Sequence, residues 1–412
     1  MPQGHPFRVQ LAEGNLVPYR QLLLSFARLM TTRTDELNIA LIGQAFMGKA
    51  HSNAWGQAGR FFDLPRKIGM HTVCGRDEAQ LIPFAERWGW SASTTDWREL
   101  AANKQIELVD VGTPNDLHAE QSIAMLEAGK HVACEKPLAG TLDDARAMRD
   151  AAKAAGTQTF VWFNYRRCPA IALAHKWIRE ARLGRIFHVR ARYLQSWGGP
   201  ETPMLWRFDS ARAGSGAHGD LNAHIVDLVR FLLGEEVDEI HGAISKTFVT
   251  ERKQPDGSTA KSDVDDCTMF LATMAGGATA SFEATRLATG HLNDNAVEIN
   301  GENGSLRFSF DDMNALEVHE APLGDNSGGW KRIVATSGDD HAYVGSYWPD
   351  GHWIGYEHGF ISQAADIVRA LGGEAPELLL PDFADAYETQ RVLEAALVSA
   401  RERCAIPMSQ IT

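Results

Sequence analysis

The chain has 412 residues, of which 44% are hydrophobic and 23% are charged, as is ordinary for a folded globular protein. Its formal net charge of −13 repels phosphate backbones and anionic lipids, which argues against nucleic acid and membrane surfaces as partners. The five cysteines are scattered and form no Cys-x-x-Cys pair, so neither a disulfide framework nor a zinc knuckle is indicated, and a reducing cytoplasm is expected.

Residues 1–36 stand apart from the rest of the chain. The stretch LVPYRQLLLSFARLM could form a short amphipathic helix, but Arg20 and Arg28 interrupt any signal-peptide core, and no small-residue cleavage site follows. Met30 lies just before a strongly patterned strand. The segment is therefore interpreted as an extension, either a docking arm or an artefact of the start codon, that carries no chemistry.

In residues 37–160, short apolar runs alternate with segments of helical spacing. The predicted strands are LNIALIG, KIGMHTVCG, IELVDVGTP, KHVACEKP and QTFVWFNY. The predicted helices are a segment from Met47 towards Gln57, EAQLIPFAERWG, TTDWRELAA with the capping-box pair Asp96 and Glu99, HAEQSIAMLEAG, and TLDDARAMRDAAKAAG. This alternation implies right-handed parallel crossovers, and it therefore predicts a doubly wound parallel sheet of the Rossmann type.

Residues 161–412 are predicted to form a second, α+β domain. Its strand candidates are longer and several alternate: RIFHVRARYLQSW, VDEIHGAISKTFVT, DCTMFLATMAGGATASFEATR, NAVEINGENGSLRFSF and NALEVHE. Helices are predicted around residues 170–181, 220–233 and 382–400, the last of them available to pack back on the first domain. The pattern favours a large, open, mostly antiparallel sheet with a cleft between the two domains. Because a broad apolar sheet seldom stays exposed, a homo-oligomer, either a dimer or a tetramer, is expected.

A glycine-rich turn follows the first predicted strand. Gly43 and Gly48 occupy the first and third places of a GxGxxG motif, and Ala45 occupies the second. Such a turn lets the backbone approach a pyrophosphate at a helix N-terminus, although a strand–helix turn can need glycines for packing alone. The surrounding β-α units favour a dinucleotide site.

The end of the second strand bears on the choice between NAD and NADP. An acidic residue is expected there for the ribose hydroxyls of NAD, but the chain has Gly75 and Arg76, followed by Asp77. Gly75 and Arg76 leave space and positive charge for the 2′-phosphate of NADP. Asp77 lies close enough to the strand end that NAD is also a candidate cofactor. Arg76 could equally stack on adenine or lie in solvent.

Two segments carry candidate acid–base groups. GKHVACEKPLAG ends a predicted buried strand in Glu135 and Lys136, so that the lysine is either surface decoration or a charge at the mouth of a cleft. In GDLNAHIVDLVRFLLG, Asp220, His224 and Asp227 have the spacing of one helix face. His224 could pass a proton near neutral pH there, or Asp220 could be an N-cap and His224 a core histidine.

These segments closely resemble the Gfo/Idh/MocA family of nicotinamide-dependent sugar oxidoreductases. The full stretches that carry the resemblance are TPNDLHAEQSIAMLEAGKHVACEKPLA and GSGAHGDLNAHIVDLVRFLLG. The resemblance runs from Leu37 nearly to the C-terminus, and its specific elements are the EKP signature and the D-x-x-x-H helix. FNYRR and YLQSW resemble the levoglucosan-dehydrogenase-like, pyranose-oxidising members. The chain departs from the family pattern at Ala45, at Gly75 and in its N-terminal extension, which leaves NAD, slightly favoured, and NADP both open.

The resemblance implies that Lys136 lies where nicotinamide and sugar meet. An ammonium group there can hydrogen-bond the hydroxyl being oxidised, stabilise its developing alkoxide and relay a proton. His224, oriented by Asp220, is the other candidate base, and either group is a candidate for the first proton. The residues predicted to bind the cofactor are Gly43, Ala45, Phe46, Met47, Gly48, Gly75, Arg76, Thr113, Pro114, Asn115, His118, Glu135 and Lys136.

The sugar is predicted to contact Asp220, His224, Asn164, Tyr165, Arg166, Arg167, Gln195 and Trp197. Amides pair with hydroxyls and aromatic faces cover the apolar side of a pyranose, although packing alone would also explain Tyr165 and Trp197. The two arginines either form structural salt bridges or reach an anionic group on the substrate. The tryptophan-bearing stretch 346–358 could close over the cleft or simply pack, and its His352, Glu357 and His358 do not suggest a metal site.

Three functions are consistent with these features. The first is a dehydrogenase that moves a hydride from a ring carbon of a pyranose or pyranoside, C3 being the guess, to NAD or NADP. The second is an NAD-dependent oxidoreductive glycosidase, in which transient C3 oxidation, elimination, water addition and re-reduction cleave a glycoside, including anionic ones such as sulfosugars. The third is a non-catalytic sugar or dinucleotide sensor, against which the joint presence of Lys136, Asp220 and His224 argues.

Overall fold

The computed structural model describes residues 36–320, 328–339 and 341–412. The predicted extension, residues 1–36, lies outside the described residues apart from Glu36, which begins the first strand. A parallel sheet and a larger mixed sheet organise the described residues. Both parts of the predicted fold class are confirmed. In the described part of the chain, no helix is long and apolar enough to cross a bilayer.

The first sheet is parallel throughout and has six strands. These strands are β1 (Glu36–Ile42), β2 (Lys67–Cys74), β3 (Ala92–Thr94), β4 (Leu108–Val111), β5 (His131–Cys134) and β6 (Thr159–Val161). The helices between them are α1 (Phe46–Phe61), α2 (Glu78–Trp88), α3 (Arg98–Ala102), α4 (His118–Glu127) and α5 (Leu142–Ala155).

The first sheet has the strand order β3-β2-β1-β4-β5-β6, and this order indicates where a ligand would bind. The chain reverses direction across the sheet between β1 and β4, and ligands of doubly wound sheets bind outside the carboxyl ends of the strands at such a point. The glycine-rich turn follows β1, residues 112–115 follow β4, and Glu135 and Lys136 follow β5. The predicted cofactor segments therefore meet at one edge.

Side-chain caps fix two helix starts in the first set of β-α units. The carboxylate of Asp77 accepts a hydrogen bond from Gln80 N, and the hydroxyl of Thr141 accepts one from Asp144 N. The Asp96–Glu99 box is only partly formed, because the Glu99 carboxylate accepts from the hydroxyl of Thr94 instead of from the backbone at Asp96. That helix, α3, consequently starts at Arg98.

Within the described residues, the second sheet has nine strands in the order β16-β15-β14-β13-β7-β12-β11-β8-β17. They are β7 (Ile186–Leu194), β8 (Val237–Lys246), β11 (Cys267–Met274), β12 (Thr279–Thr285), β13 (Asp294–Gly301), β14 (Gly304–Ser309), β15 (Ala315–Glu320), β16 (Lys331–Val334) and β17 (Ile406–Pro407). A separate ribbon pairs β9 (Glu251–Lys253) with β10 (Thr259–Lys261). Only the β7–β12 pair is parallel among these pairings, so the described sheet is mostly antiparallel.

Helices cover one face of the second sheet and connect it to the first. The remaining helices are α6 (Pro169–Arg179), α7 (Ser210–Ala213), α8 (Ala223–Leu233), α9 (Val344–Tyr347), α10 (Tyr356–Gly372) and α11 (Phe383–Glu402). The C-terminal helix α11 contacts both β8 and α5, while α10 packs against α1. Helix α11 therefore joins the second sheet to the first set of β-α units, and α10 adds a second contact with those units.

Three local features differ from the sequence-based prediction. Helix α10 was not predicted, because its start was interpreted as part of the tryptophan-bearing stretch 346–358. The predicted helix 220–233 begins instead with a wider π-helical turn, His218–Asn222, whose preceding amides at Gly216 and His218 donate to the buried carboxylate of Asp265. The short strand β3 is only three residues long, too short to leave a pattern.

Candidate active site

A cavity of about 550 Å³ opens beside the carboxyl end of the first sheet and extends over β7 and α8. Among the residues predicted as functional, those that line it are Phe46, Met47, Glu135, Lys136, Asn164, Tyr165, Gln195, Trp197, Asp220 and His224. A smaller cavity of about 60 Å³ adjoins it, and Met47, Thr113, Asn115, Glu135, Lys136 and Asp220 line that one. The predicted cofactor and substrate residues that line these two cavities thus lie side by side, with Met47, Glu135, Lys136 and Asp220 shared between them.

The glycine turn after β1 has no room for side chains at its two glycines. Gly43 has φ +132°, and a Cβ there would lie 2.6 Å from the carbonyl oxygen of Gly112. A Cβ on Gly48 would lie 2.3 Å from the carbonyl oxygen of Gly43. Ala45 has extended backbone and is the N-cap residue of α1, so its methyl group is tolerated. The turn and the free amides of the helix start fit a dinucleotide pyrophosphate.

The side-chain amide of Gln44, and not a carboxylate, lies next to the end of β2. A Cβ on Gly75 would lie 1.7 Å from Oε1 of Gln44, so the Gln44 side chain occupies the place that a larger residue would fill. That oxygen is buried and has no hydrogen-bond partner among the described residues. Asp77 is committed to capping α2, and Arg76 is exposed. Gln44, which the sequence did not single out, is therefore the polar group nearest this strand end.

The remaining predicted cofactor residues follow β4. The amide of Asn115 donates to the carbonyl oxygen of Ala213 at 2.9 Å, which ties this loop to the second part of the chain. Pro114 precedes that residue in the same turn. His118 is fully buried, and its ring nitrogens lie against the carbonyl oxygens of Thr113 and Pro137. The structure thus gives His118 a supporting place beneath the loop, away from the cleft surface predicted for it.

Lys136 projects across the cleft to the turn that precedes α8. Its Nζ lies 2.7 Å from Oδ1 of Asp220 and 3.1 Å from the Asp220 carbonyl oxygen. Nη2 of the buried Arg286 lies 2.8 Å from the other oxygen, Oδ2. Burial opposes ionisation of this carboxyl, but Lys136 and Arg286 together hold the pKa of Asp220 well below its usual range. Asp220 therefore remains ionised and accepts the hydrogen bond from Lys136.

His224 faces the same cavity from the next turn of the helix. Its ring meets Tyr165 edge-to-face at 4.7 Å and Tyr193 at 5.8 Å. Burial and the nearby Lys136 ammonium hold its pKa well below 6.5, with Asp220 acting weakly in the opposite direction. The imidazole is therefore neutral near pH 7 and can accept a proton.

The prediction that Asp220 orients His224 needs correction. Both carboxylate oxygens of Asp220 are taken by Lys136 and Arg286, and Nδ1 of His224 has no hydrogen-bond partner among the described residues. Asp220 lies within the wider π-helical turn and His224 lies in the α-helix after it, so the simple i, i+4 relation does not hold there. Aromatic packing, mainly from Tyr165, holds the imidazole instead.

A chain of hydrogen-bonded polar groups forms the far wall of the cavity. The Tyr165 and Tyr193 hydroxyls lie 2.7 Å apart, and the Tyr193 hydroxyl donates to Oδ1 of Asn293 at 2.7 Å. The Gln195 amide donates to the same oxygen, and the Trp197 indole donates to Oε1 of Gln195 at 2.6 Å. Hydroxyl and amide groups on this wall suit a polyhydroxylated ligand. Tyr193 and Asn293 were missed because they are far apart in the sequence, Tyr193 on β7 and Asn293 in the loop just before β13.

Arg166 and Arg167, predicted to contact the substrate, lie elsewhere. Arg166 binds Asp227 through two hydrogen bonds and also contacts Asp385, and all but 1% of it is buried. Arg167 binds Asp366 at 3.1 Å and is fully buried. Each guanidinium needs a carboxylate partner at such depth, so both residues serve structural ion pairs and do not line the cavity.

Aromatic side chains cover the entrance next to the glycine turn. Tyr356, at the start of α10, stacks on the exposed Phe46 at 6.4 Å and meets Phe310 edge-to-face at 6.2 Å. Within the tryptophan-bearing stretch 346–358, Tyr356 lines the cavity, whereas Trp348 and Trp353 are exposed and do not. The stretch therefore contributes one aromatic wall to the site.

Family models match most of the chain. Residues 37–163 match the model described as an oxidoreductase family with an NAD-binding Rossmann fold, and residues 171–307 match the GFO/IDH/MocA C-terminal domain. The levoglucosan dehydrogenase of Pseudarthrobacter phenanthrenivorans is 38% identical over 396 residues, which cover 92% of this chain and 100% of that protein.

Solved structures resemble the whole described fold. An oxidoreductase domain protein from Kribbella flavida is 49% identical, with a TM-score of 0.86 and coverage of 90% of this chain and 99% of that chain. A levoglucosan dehydrogenase in complex with NADH and levoglucosan is 38% identical, with a TM-score of 0.86 and the same two coverages, 90% and 99%.

Proposed function

The chain belongs to the Gfo/Idh/MocA family of NAD-dependent oxidoreductases, and on that premise we propose that it oxidises a ring hydroxyl, that on C3, of a neutral pyranose or pyranoside. One observation carries the proposal: Lys136 and the neutral imidazole of His224 line one cavity beside the glycine turn. In this proposal residues 37–160 bind the dinucleotide and residues 161–412 supply the sugar wall. The levoglucosan dehydrogenase relative supports a pyranose as substrate class.

The residues divide the proton chemistry between them. NAD, when bound, supplies the hydride acceptor. The Lys136 ammonium, anchored by Asp220, donates a hydrogen bond to the reacting hydroxyl and stabilises the negative charge that develops on its oxygen. His224, whose pKa is held well below 6.5, accepts the proton. Met47, Thr113 and Asn115 bound the smaller cavity, which fits the cofactor end of the cleft.

The hydrogen-bonded wall favours neutral sugars. Tyr165, Gln195 and Trp197 present a hydroxyl, an amide and an indole to the cavity, a combination that pairs with sugar hydroxyls and covers an apolar ring face. The burial of Arg166 and Arg167 in ion pairs removes the ground on which anionic glycosides were considered.

A substrate screen tests this function. Free pyranoses, anhydrosugars and aryl glycosides are each incubated with NAD or NADP, and reduced cofactor and released aglycone are measured together. We expect reduced cofactor to accumulate in step with a keto-sugar. Aglycone release without net cofactor reduction would contradict the proposal and identify a glycosidase, and binding of sugar without turnover would identify a sensor.

The open face of the second sheet is proposed to bind a second copy of the chain. A groove of about 910 Å³ lies on this face, and Ile244, Met269 and Leu271 are exposed there at 61%, 43% and 58%. Leu271→Glu is expected to convert a dimer or tetramer to the 45.3 kDa monomer in light-scattering measurements, because a buried charge would face the partner. Leu379→Glu, at an exposed site off this face, is the control. A monomeric wild-type protein would contradict the expectation.

A further inference from the structure

A fully buried histidine lies directly behind the Glu135–Lys136 pair. His51 projects from α1, and its Nδ1 lies 3.0 Å from Oδ2 of Asp110 on β4. Its Nε2 lies 3.0 Å from Oε1 of Glu135, which follows β5. The ring therefore bridges two buried carboxylates that come from neighbouring strands.

The imidazole of His51 is charged in this arrangement. An ionised carboxylate only accepts hydrogen bonds, so a ring that faces one carboxylate with each nitrogen must donate from both. Burial lowers the pKa of a histidine, but Asp110 and Glu135 outweigh it here and raise the pKa of His51 to about 9.

One end of this bridge is firmly fixed. The indole of Trp55 donates to Oδ2 of Asp110 at 2.7 Å, and the indole of Trp162 donates to Oδ1 at 2.8 Å. With His51, the Asp110 carboxylate thus receives donors from three directions. The Trp162 ring also packs on His51, with ring centroids 4.4 Å apart. A carboxylate held in this way can serve as an anchor.

The other end of the bridge reaches the backbone of Lys136. Oε2 of Glu135 accepts a hydrogen bond from Lys136 N at 3.0 Å, while Oε1 faces His51. The Lys136 side chain then spans the cleft to Asp220, 2.7 Å away. Glu135 thus holds the backbone of Lys136, and Asp220 holds the amine at the end of its side chain.

We propose that Asp110, His51 and Glu135 form a positioning relay that holds Lys136 at the hydride-transfer site, an inference that rests on the proposed function. Without the imidazolium, the two buried carboxylates would lose the cation between them, a costly arrangement that Glu135 can relieve by turning away. That movement removes the acceptor that fixes Lys136 N. Because a displacement of about 1 Å can cost about 100-fold in rate, the relay acts on turnover.

The test is a double-mutant cycle between His51→Gln and Glu135→Gln. Glutamine is neutral, and its donors lie on a single nitrogen, so it cannot place a positive charge and a donor nitrogen against each carboxylate as the imidazolium does. We expect His51→Gln to lower kcat about 100-fold, with the KM for sugar and the calorimetric Kd for NAD close to wild type. If His51 acts through Glu135, the double variant will be no slower than Glu135→Gln alone.

Two further variants separate positioning from a general loss of stability. His341→Gln removes another buried histidine, away from the cavity, and is expected to lower the melting temperature while kcat is retained. Trp162→Phe keeps a ring against His51 but removes one donor to Asp110, and it should lower kcat less than His51→Gln does. It also provides a milder perturbation should His51→Gln not fold.

The outcomes distinguish this inference from the proposed function. If Lys136→Met abolishes turnover but His51→Gln and Trp162→Phe leave kcat unchanged, the relay is refuted and the proposed function stands. The relay would also be refuted if the fold-losses in kcat of the two single variants multiplied in the double variant, because His51 and Glu135 would then act independently. If Lys136→Met itself leaves turnover intact, the proposed function fails, whatever the His51 variants show.

Discussion

Replacing Lys136 with methionine is expected to lower kcat by about 100-fold to about 1000-fold, the usual cost of removing one donor to a developing oxyanion. The side chain keeps its approximate length and loses only its ammonium group. KM for the sugar should change little, because the lost interaction is strongest when charge develops on the oxygen.

The fold should survive this substitution. Asp220 loses one of its two cationic partners but keeps the 2.8 Å contact with Arg286, so its carboxylate does not become an unpaired buried charge. Circular dichroism and the melting temperature check this directly. Arginine at position 136 is not expected to restore activity, because a planar guanidinium does not reproduce the compact ammonium group.

Lys130→Met is the matched control for the lysine variant. Lys130 lies in the same part of the chain, and its Nζ donates to the carbonyl oxygens of Asn103 and Ile106, away from the cleft. Its loss should lower the melting temperature while leaving kcat near the wild-type value. Turnover that persists in Lys136→Met, measured as cofactor reduction with a substrate from the screen, would show that the amine takes no part in the chemistry.

Much of the fold could be predicted because its pattern is local. The buried strands β1, β4 and β5 are short apolar runs, and caps such as Thr141 mark helix starts. Helix α10 was missed because its first residues share their composition with the preceding tryptophan-bearing stretch. The π-helical turn before α8 depends on Asp265, a residue distant in sequence, and so no local pattern shows it.

The candidate site was only partly predictable for a related reason. Sequence motifs identify Lys136 and His224, but they do not say which carboxylate pairs with which cation. Arg166 was therefore assigned to the sugar, although Asp227 on α8 binds it. One signal for the His51 relay was present, since a carboxylate such as Asp110 within a short apolar strand must find a buried partner.

Replacing His224 with asparagine is expected to lower kcat by at least about 100-fold, the lower bound for losing a positioned general base. Asparagine fills part of the same space but cannot accept a proton near neutral pH. His175→Asn is the control: that histidine stacks on Phe231 at 4.3 Å and does not line the cavity, so its loss should leave kcat unchanged.

The pH dependence gives His224 a signature of its own. Burial and Lys136 hold the pKa of His224 well below 6.5, and the base is its neutral form. As pH falls, kcat/KM should therefore stay level through 6.5 and decline only where the imidazole finally takes up a proton. In His224→Asn that acid limb should disappear from the small remaining rate.

A wild-type profile that bends close to pH 6.5 would contradict this assignment, because it would mean that the imidazole titrates as it does in water. Lys136→Met offers an internal check on the same curve. The Lys136 ammonium contributes to the low pKa of His224, so its removal should move the acid limb to higher pH. A limb that stays in place would show that the two groups do not share one electrostatic site, and the division of roles between donor and base would fail with it.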